Sequence, residues 1–576
     1  MSKLNIDQKT IRELLTDKRS DFLIPDYQRP YAWGEDECAT LWDDLFAFAF
    51  PGDSCDNFNS NDEYFLGPIV TFKNEAGQLE IIDGQQRLTT TMLLLRAFYD
   101  RFANMKDKQS MKMREAIERC VWKTDEFDDP DFDALKIDSE VASDDDKGEF
   151  LEILRTGNVQ PGWKSAYARN FKYFQKKIEE LVNGWSGYTG YMATRIINNV
   201  ILLPIEAESQ DTALRIFSTL NDRGLPLSDA DIFKSQFYKH YSALGRKDDF
   251  IDRWKALEEG ANKIFRPRRG TPMDELFTRY MYYRRAKLGI VDTTTASLRD
   301  FFSADAYAMF KEEATLGDLE DLLGFWQKVG AQDGFSDETL RELFVLNYAP
   351  NGMWAFLVSV WYLANRDGNG DIDDAALCAL LRRIIGFVFA YAIDRPGVNA
   401  LRTPVYPEMV NVVNGRPVEF ANHRFGRETI AANMRAYVFT NQRPVTKSML
   451  TWWAFHDPEQ GLLPLDATLE IEHIYARKRN QADPLAKRSN LDALGNKALL
   501  EKRVNIRASD YRFPDKRKYY EGTLGADGKG KPGTEIVELR RLAAERDDFT
   551  EADIEDRTNR IIDTFVDYLG DNGLLA

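Results

Sequence analysis

Cysteine and histidine are scarce, with four of each in 576 residues. Cys38, Cys55, Cys120 and Cys378 stand far apart and make neither a CxxC pair nor a ladder, which excludes a disulfide-built fold and fits a reducing compartment. Long hydrophobic runs are missing too. The longest, residues 384–393, has ten residues, roughly half of a membrane span. The start, MSKLNIDQKTIRELL, lacks the apolar centre of a signal peptide. A soluble, cytoplasmic protein with no membrane partner is expected. Excess positive charge is absent as well: the net charge is −17, which excludes an indiscriminate polycation and confines any nucleic-acid surface to a local patch.

What is present is core-forming material, 43% hydrophobic and 12% aromatic. The length predicts more than one domain, and three are expected. The charge is unevenly spread. Residues 125–149 hold 12 acids and 2 bases, a net of −10, whereas residues 473–518 hold 13 Lys/Arg and 5 Asp/Glu, a net of +8. The two regions face different partners.

Strands and helices alternate at first. DFLIPDYQRPYAW reads as extended, EDECATLWDDLFAFAF as a helix, and YFLGPIVTF with LEIID, joined by NEAGQ, as a β-hairpin. A helix covers residues 89–102. The acidic stretch 125–149 reads as a solvated loop or insertion, residues 164–198 as helix, VILLPIEA as a buried strand and DTALRIFSTL as a helix. Ser228 and Asp231 have capping-box spacing. RPRRGTP, residues 266–272, reads as a linker, and residues 273–400 are almost all helical in pattern.

Two constellations carry chemistry. In LEIIDGQQRLTT, Asp83, Gly84, Gln85, Gln86 and Arg87 fill a strand–turn–helix junction. A helix start offers unpaired N–H groups and partial positive charge, Arg87 a fork suited to phosphate, and the amides donors and acceptors for a sugar or base. A nucleotide site fits, and so does an Asp–Arg pair fixing a tight turn. IPDYQRPYAW supplies Tyr27, Gln28, Arg29, Tyr31 and Trp33, and LNDRG supplies Asn221, Asp222 and Arg223 in a second turn before a helix. GADGKGKP, residues 525–532, has Walker A spacing, but Pro532 replaces the metal-binding hydroxyl and no apolar strand precedes it.

The second constellation is LEIEHIYARKRN, with Glu472 and His473 ending a β-like run, followed by LGNKALLEKRVN with Asn496 and Asn505. Phosphodiester hydrolysis needs a base for water and a cation on the phosphate. A neutral His473 can be the base, and an acid with an amide oxygen can hold Mg²⁺. The surrounding Lys and Arg would bind the nucleic-acid backbone.

IPDYQRPYAW, IIDGQQRLTT and IFSTLNDRGLPLSDADIFK, in this order, resemble the GmrS-type domain, a ParB/sulfiredoxin-like fold with a DGQQR nucleotide motif. IEHIYAR…LGNKALLEKRVN…FPDKRKYY resembles the GmrD-type His-Me finger, or HNH-like, nuclease. One chain with both is similar to the GmrSD family of type IV, modification-dependent restriction endonucleases. The resemblance implies an α+β, predominantly helical protein. Residues 1–240 would be the nucleotide-binding, modification-sensing domain, 241–415 a helical middle region, and 416–576 the His-Me finger (ββα-metal) nuclease. Asp83, Gly84, Gln85, Gln86 and Arg87, with Asn221 and Arg223, would bind an NTP. Tyr27, Gln28, Arg29 and Tyr31 would line the sensor. His473 would be the general base and Asn505 a ligand of Mg²⁺ or Mn²⁺, with Glu472 as the second ligand; Asn496 would orient the His-bearing loop. The implied partner is double-stranded phage DNA carrying glucosylated or hydroxymethylated cytosine. Phosphorothioate-sensing nickases of Ssp-type systems share the plan, a ParB-like DNA-binding regulator or an NTPase is the rival, and double-strand cleavage would favour a homodimer.

Overall fold

The short early segments each make a strand because β-formers sit between turn residues: β1 (Asn5–Ile6), β2 (Lys9–Thr10), β3 (Phe22–Ile24), β4 (Tyr64–Lys73) and β5 (Leu79–Asp83), then β6 (Trp122–Thr124), β7 (Pro130–Leu135), β8 (Ile137–Ser139) and β9 (Val200–Ala207). This computed structural model describes all residues except 1–4, 7, 143, 186, 210–211, 214–215, 217–227, 398–399 and 525–529. The chain forms two compact units, residues 1–255 and 256–576.

In the first unit one seven-stranded sheet runs β1-β9-β4-β5-β3-β8, with β2 also paired to β9. β4 and β5 form the expected antiparallel hairpin. β9 lies parallel to β4, and β3 is parallel to both β5 and β8. The Gln85–Phe102 helix follows β5 directly and packs Met92, Leu93 and Phe98 into a core shared with Phe171 and Phe174 from the Ala166–Gly184 helix. Ser228 and Asp231 form the capping box that their spacing suggests. DTALRIFSTL lies largely outside the described residues.

The acidic stretch is not a loop. β6 and β7 pair as a hairpin, β8 completes the sheet edge, and residues 147–156 are helical. Trp122, Leu135 and Ile137 are buried between acids that face water, so charge density masked a strand pattern. RPRRGTP separates two helices, Lys247–Ile264 and Pro272–Lys287.

The second unit contains both the helical middle region and the C-terminal segment. The Asp374–Asp394 helix has the length and apolarity of a membrane span, yet most of it is buried inside the unit, as suits a core helix. Near the end of the chain, β10 (Leu469–His473) and β11 (Lys497–Glu501) pair antiparallel, and the Lys502–Ala508 helix continues from β11. β12 (Gly522–Leu524) and β13 (Gly530–Pro532) form a second small hairpin. The first five residues of GADGKGKP lie outside the described residues.

The junction after β5 turns on Gly84, which caps the helix in the left-handed region at φ 93°. A Cβ there would sit 3.0 Å from the Pro68 carbonyl oxygen and 3.2 Å from the Ile69 Cα, backbone that cannot step aside. Gly84→Ala should therefore cost about 1–3 kcal/mol, read as a lower denaturation midpoint by circular dichroism. An unchanged midpoint would contradict this geometry.

Candidate functional sites

At the β5–helix junction the Arg87 guanidinium donates to Asp83 Oδ2 at 3.0 Å and to the Pro68 carbonyl at 2.7 Å. Gly67, at φ 130°, gives the guanidinium its room. Burial pushes the Asp83 carboxyl up, and the nearby charges of Arg87 and Arg29 work against that. The two glutamines turn inward. Gln85 Nε2 donates to the Arg29 carbonyl at 3.1 Å and Gln86 Nε2 to the Pro30 carbonyl at 3.2 Å, while Gln86 Oε1 accepts from the Ala32 and Trp33 amides.

The YQR segment answers in kind. Gln28 Nε2 donates to the Ile81 and Ile82 carbonyls of β5, and the Tyr27 hydroxyl to Glu80 Oε2 at 3.1 Å. The Tyr31 hydroxyl shares a 2.7 Å hydrogen bond with Thr90 and accepts one from Asn170. Thus Tyr27, Gln28, Tyr31, Gln85 and Gln86, all expected to face a ligand, are buried braces between two segments. Arg29 is half-buried, with its Nε enclosed and without a hydrogen-bond partner among the described residues. Asn221 and Arg223 lie outside the described residues.

The second site is the β10–β11 hairpin. Register places His473 opposite Lys497, so their side chains share one face of the pair. His473 is 8% exposed, and its Nε2, with no hydrogen-bond partner among the described residues, lies 3.8 Å from Asp492 Oδ1. Lys497 Nζ reaches the same Asp492 oxygen at 2.8 Å. Burial, then the charges of Lys497 and Arg477, lower the His473 imidazole to about 4. It is therefore neutral at physiological pH and able to accept a proton.

Asn496 holds the loop after His473. It is fully buried; its side-chain oxygen accepts from the Tyr475 amide at 2.7 Å, its Nδ2 donates to the Tyr475 and Leu491 carbonyls, and its own carbonyl accepts from the Ile474 amide. The turn that carries Asn496 is fixed in its turn by Arg557, 1% exposed, whose Nη1 donates to the carbonyls of Leu494, Gly495 and Lys497. Glu538 balances Arg557 at 2.7 and 2.8 Å.

Glu472 and His473 are not brought together. Successive strand residues face opposite ways, and the buried Glu472 accepts from Lys516 Nζ at 2.6 Å and from the Tyr520 hydroxyl at 2.8 Å. Burial pushes its carboxyl up, against the pull of Lys516. On that same face Asn505 Nδ2 donates to Glu470 Oε2 at 2.7 Å. Among the described residues no cluster of three His, Cys, Asp or Glu side chains could hold a metal.

Comparison with known proteins matches both ends of the chain to one family. The model for the GmrSD restriction endonuclease N-terminal domain matches residues 11–238, and that for the C-terminal domain of GmrSD restriction endonucleases matches residues 427–564. The chain belongs to the GmrSD restriction endonuclease family. No curated protein matches it. The N-terminal GmrSD match contains the Arg29–Asp83–Arg87 junction, and the C-terminal match contains the whole hairpin with Asp492, Lys516 and Arg557.

Sequence reasoning did not find Asp492, Lys497, Lys516, Tyr520 or Arg557 in these roles. Lys497 and Lys516 counted toward a DNA-binding patch, but both are buried in ion pairs. Their adjacency to the GN and FPDK motifs was the available signal. Removing one member of a buried pair leaves the other charge stranded. Glu472→Gln or Lys516→Met alone should each destabilise the second unit by about 3–5 kcal/mol, and the double variant should recover most of the loss in a denaturant titration. Additive losses would show that the two do not act as a pair.

Proposed function

We propose that this GmrSD protein is a type IV, modification-dependent DNA endonuclease of phage defence, with a nucleotide-responsive N-terminal domain and a metal-dependent nuclease at the β10–β11 hairpin. The observation that carries the reading is His473: a buried, neutral imidazole with an unpartnered nitrogen, on a loop fixed by Asn496. Family membership makes DNA the substrate.

The His473 imidazole takes the proton of the attacking water, and its neutrality keeps it in the accepting form at physiological pH. Asn496 fixes the backbone of the loop that follows His473, so that little reorientation is needed at the moment of reaction. Lys497 and Arg477 beside the base keep it unprotonated, with Asp492 working against them.

Mg²⁺ or Mn²⁺ is proposed to bind Asn505 and Glu472. Asn505 and the neighbouring Glu470 offer hard oxygens of the kind that such cations take together with water and phosphate, whereas Glu472, buried and held by Lys516 and Tyr520, fits as a ligand only if that pair opens. When bound, the cation would stabilise the charge on the phosphate and leaving oxygen. Lys516 neutralises Glu472 on the protein side.

In the N-terminal domain, Arg29, Asp83 and Arg87 are proposed to meet the nucleotide, together with the first-turn N–H groups of the Gln85–Phe102 helix. Tyr27, Gln28, Tyr31, Gln85 and Gln86 would set that surface rather than touch ligand. Coupling between nucleotide and the modified base would then pass through the Gln85 and Gln86 bonds to residues 29–33. The cytoplasm, where phage DNA enters, is the proposed location.

The test is a cleavage panel: glucosylated, hydroxymethylated, phosphorothioate and plain duplexes, with Mg²⁺ or Mn²⁺, with and without each NTP. Cutting confined to one modified class and altered by a nucleotide is expected. Equal cutting of plain DNA would overturn the modification-dependent reading.

A further inference from the structure

Arg279, on the Pro272–Lys287 helix, is a buried cation with one donor left over; it is 9% exposed. Its Nε donates to Glu275 Oε1 at 3.0 Å, and its Nη2 lies 2.9 Å from the same oxygen. Aromatic rings take the rest of the guanidinium, whose centre is 4.2 Å from the Trp326 ring centroid and 4.8 Å from that of Phe265. Nη1 is enclosed and has no hydrogen-bond partner among the described residues. A buried donor without an acceptor is costly, so a group that supplies an acceptor is favoured there.

The same side chain lines a cavity of about 220 Å³ inside the second unit. Three further helices wall it, with Trp326 on Glu313–Ala331, Phe344 on Asp337–Asn347 and Trp354 on Met353–Asn365. Trp354 meets Trp326 edge to face at 5.7 Å, and Phe265 adds another ring, so the walls are flat and apolar. Gly330 and Asn347 also line the cavity, and both are exposed, which opens it to solvent. The volume lies below the roughly 300–1,000 Å³ of a drug-sized site and limits the occupant to one or two fused rings. Glu275 already balances the Arg279 charge, so a phosphate or carboxylate would bring an anion that the site does not need. Phenyl and indole rings bring no acceptor and leave Nη1 unpaired. A nucleobase brings both a flat ring for the aromatic walls and a carbonyl or ring nitrogen on its edge.

We infer that this cavity binds a nucleobase, with the ring among Trp326, Trp354, Phe265 and Phe344 and an acceptor on its edge taking the free Arg279 N–H. The inference goes beyond the endonuclease reading and does not rest on it. A base of this kind can belong to a free nucleotide or to a nucleic-acid strand, and the two sources are separated by experiment.

The experiment is equilibrium dialysis of the full-length chain against adenosine, guanosine, cytidine, uridine and 5-hydroxymethylcytidine, which lack the phosphates that the N-terminal junction would hold. Saturable binding of at least one nucleoside is expected. Arg279→Lys keeps a cation for Glu275 but removes the guanidinium fork, and it should weaken that binding about tenfold, as the loss of one hydrogen bond to a charged donor does. Ala355→Leu fills the cavity that Ala355 lines and should abolish the binding, with the unfolding midpoint of each variant measured alongside. Displacement of the nucleoside by duplex DNA carrying the same base would assign the site to a base presented by a strand, and displacement by the free nucleotide alone would assign it to a small effector; either supports the inference. No saturable binding of any nucleoside, or equal binding by wild type and by both variants in folded form, would overturn it. That result would leave the endonuclease reading untouched, because the role of His473 is read from DNA cleavage.

Discussion

The hairpin depends on a buried arginine. Arg557 places a full charge in the interior and satisfies it with three consecutive-turn carbonyls on one side and a glutamate on the other. Such a charge is costly to bury unless every donor is used, so the Leu494–Lys497 turn has one conformation in which the arginine is tolerated. Gly495 is part of the same constraint. Its amide bonds to Thr558, and any Cβ would run into the backbone of residues 554–558. The turn therefore lies against the Glu551–Asp571 helix, and Asn496 is delivered to the His473 loop with its amide already aimed.

From there the constraint passes into electrostatics. His473 is neutral because it is buried beside Lys497 and Arg477, and Lys497 stays beside it because Asp492, Asn441 and the Phe439 carbonyl hold its ammonium. Across the strand, Lys516 and Tyr520 do the same for Glu472. Two buried lysines thus keep one histidine and one glutamate in defined states on opposite faces of β10. Under the proposed reading these fixed charges would be in place before substrate arrives, as a preorganised site requires.

Much of this was legible in local pattern. The β4–β5 hairpin, β9, the helices around it and the position of the DGQQR turn follow from periodicity and turn residues. What local pattern does not encode is the partner. β3 pairs in parallel with β5 and β8, strands far along the chain. Gln85 and Gln86 hydrogen-bond to groups 53 to 56 residues upstream, which local pattern does not show. Lys516 looked like a phosphate contact because Glu472 is 44 residues away. A polar side chain beside a motif gives no sign of its partners within the fold, and five of the residues expected at the N-terminal site have such partners.

The central claim is that the buried, neutral His473 is the base of a DNA endonuclease. Its most direct test is cleavage of modified duplex DNA with Mg²⁺ by the wild-type protein and by His473→Ala, each first shown to have the same unfolding midpoint. Cleavage by the wild type and none by an equally stable variant is the predicted result. An equally stable His473→Ala protein that cuts at the wild-type rate would contradict the account.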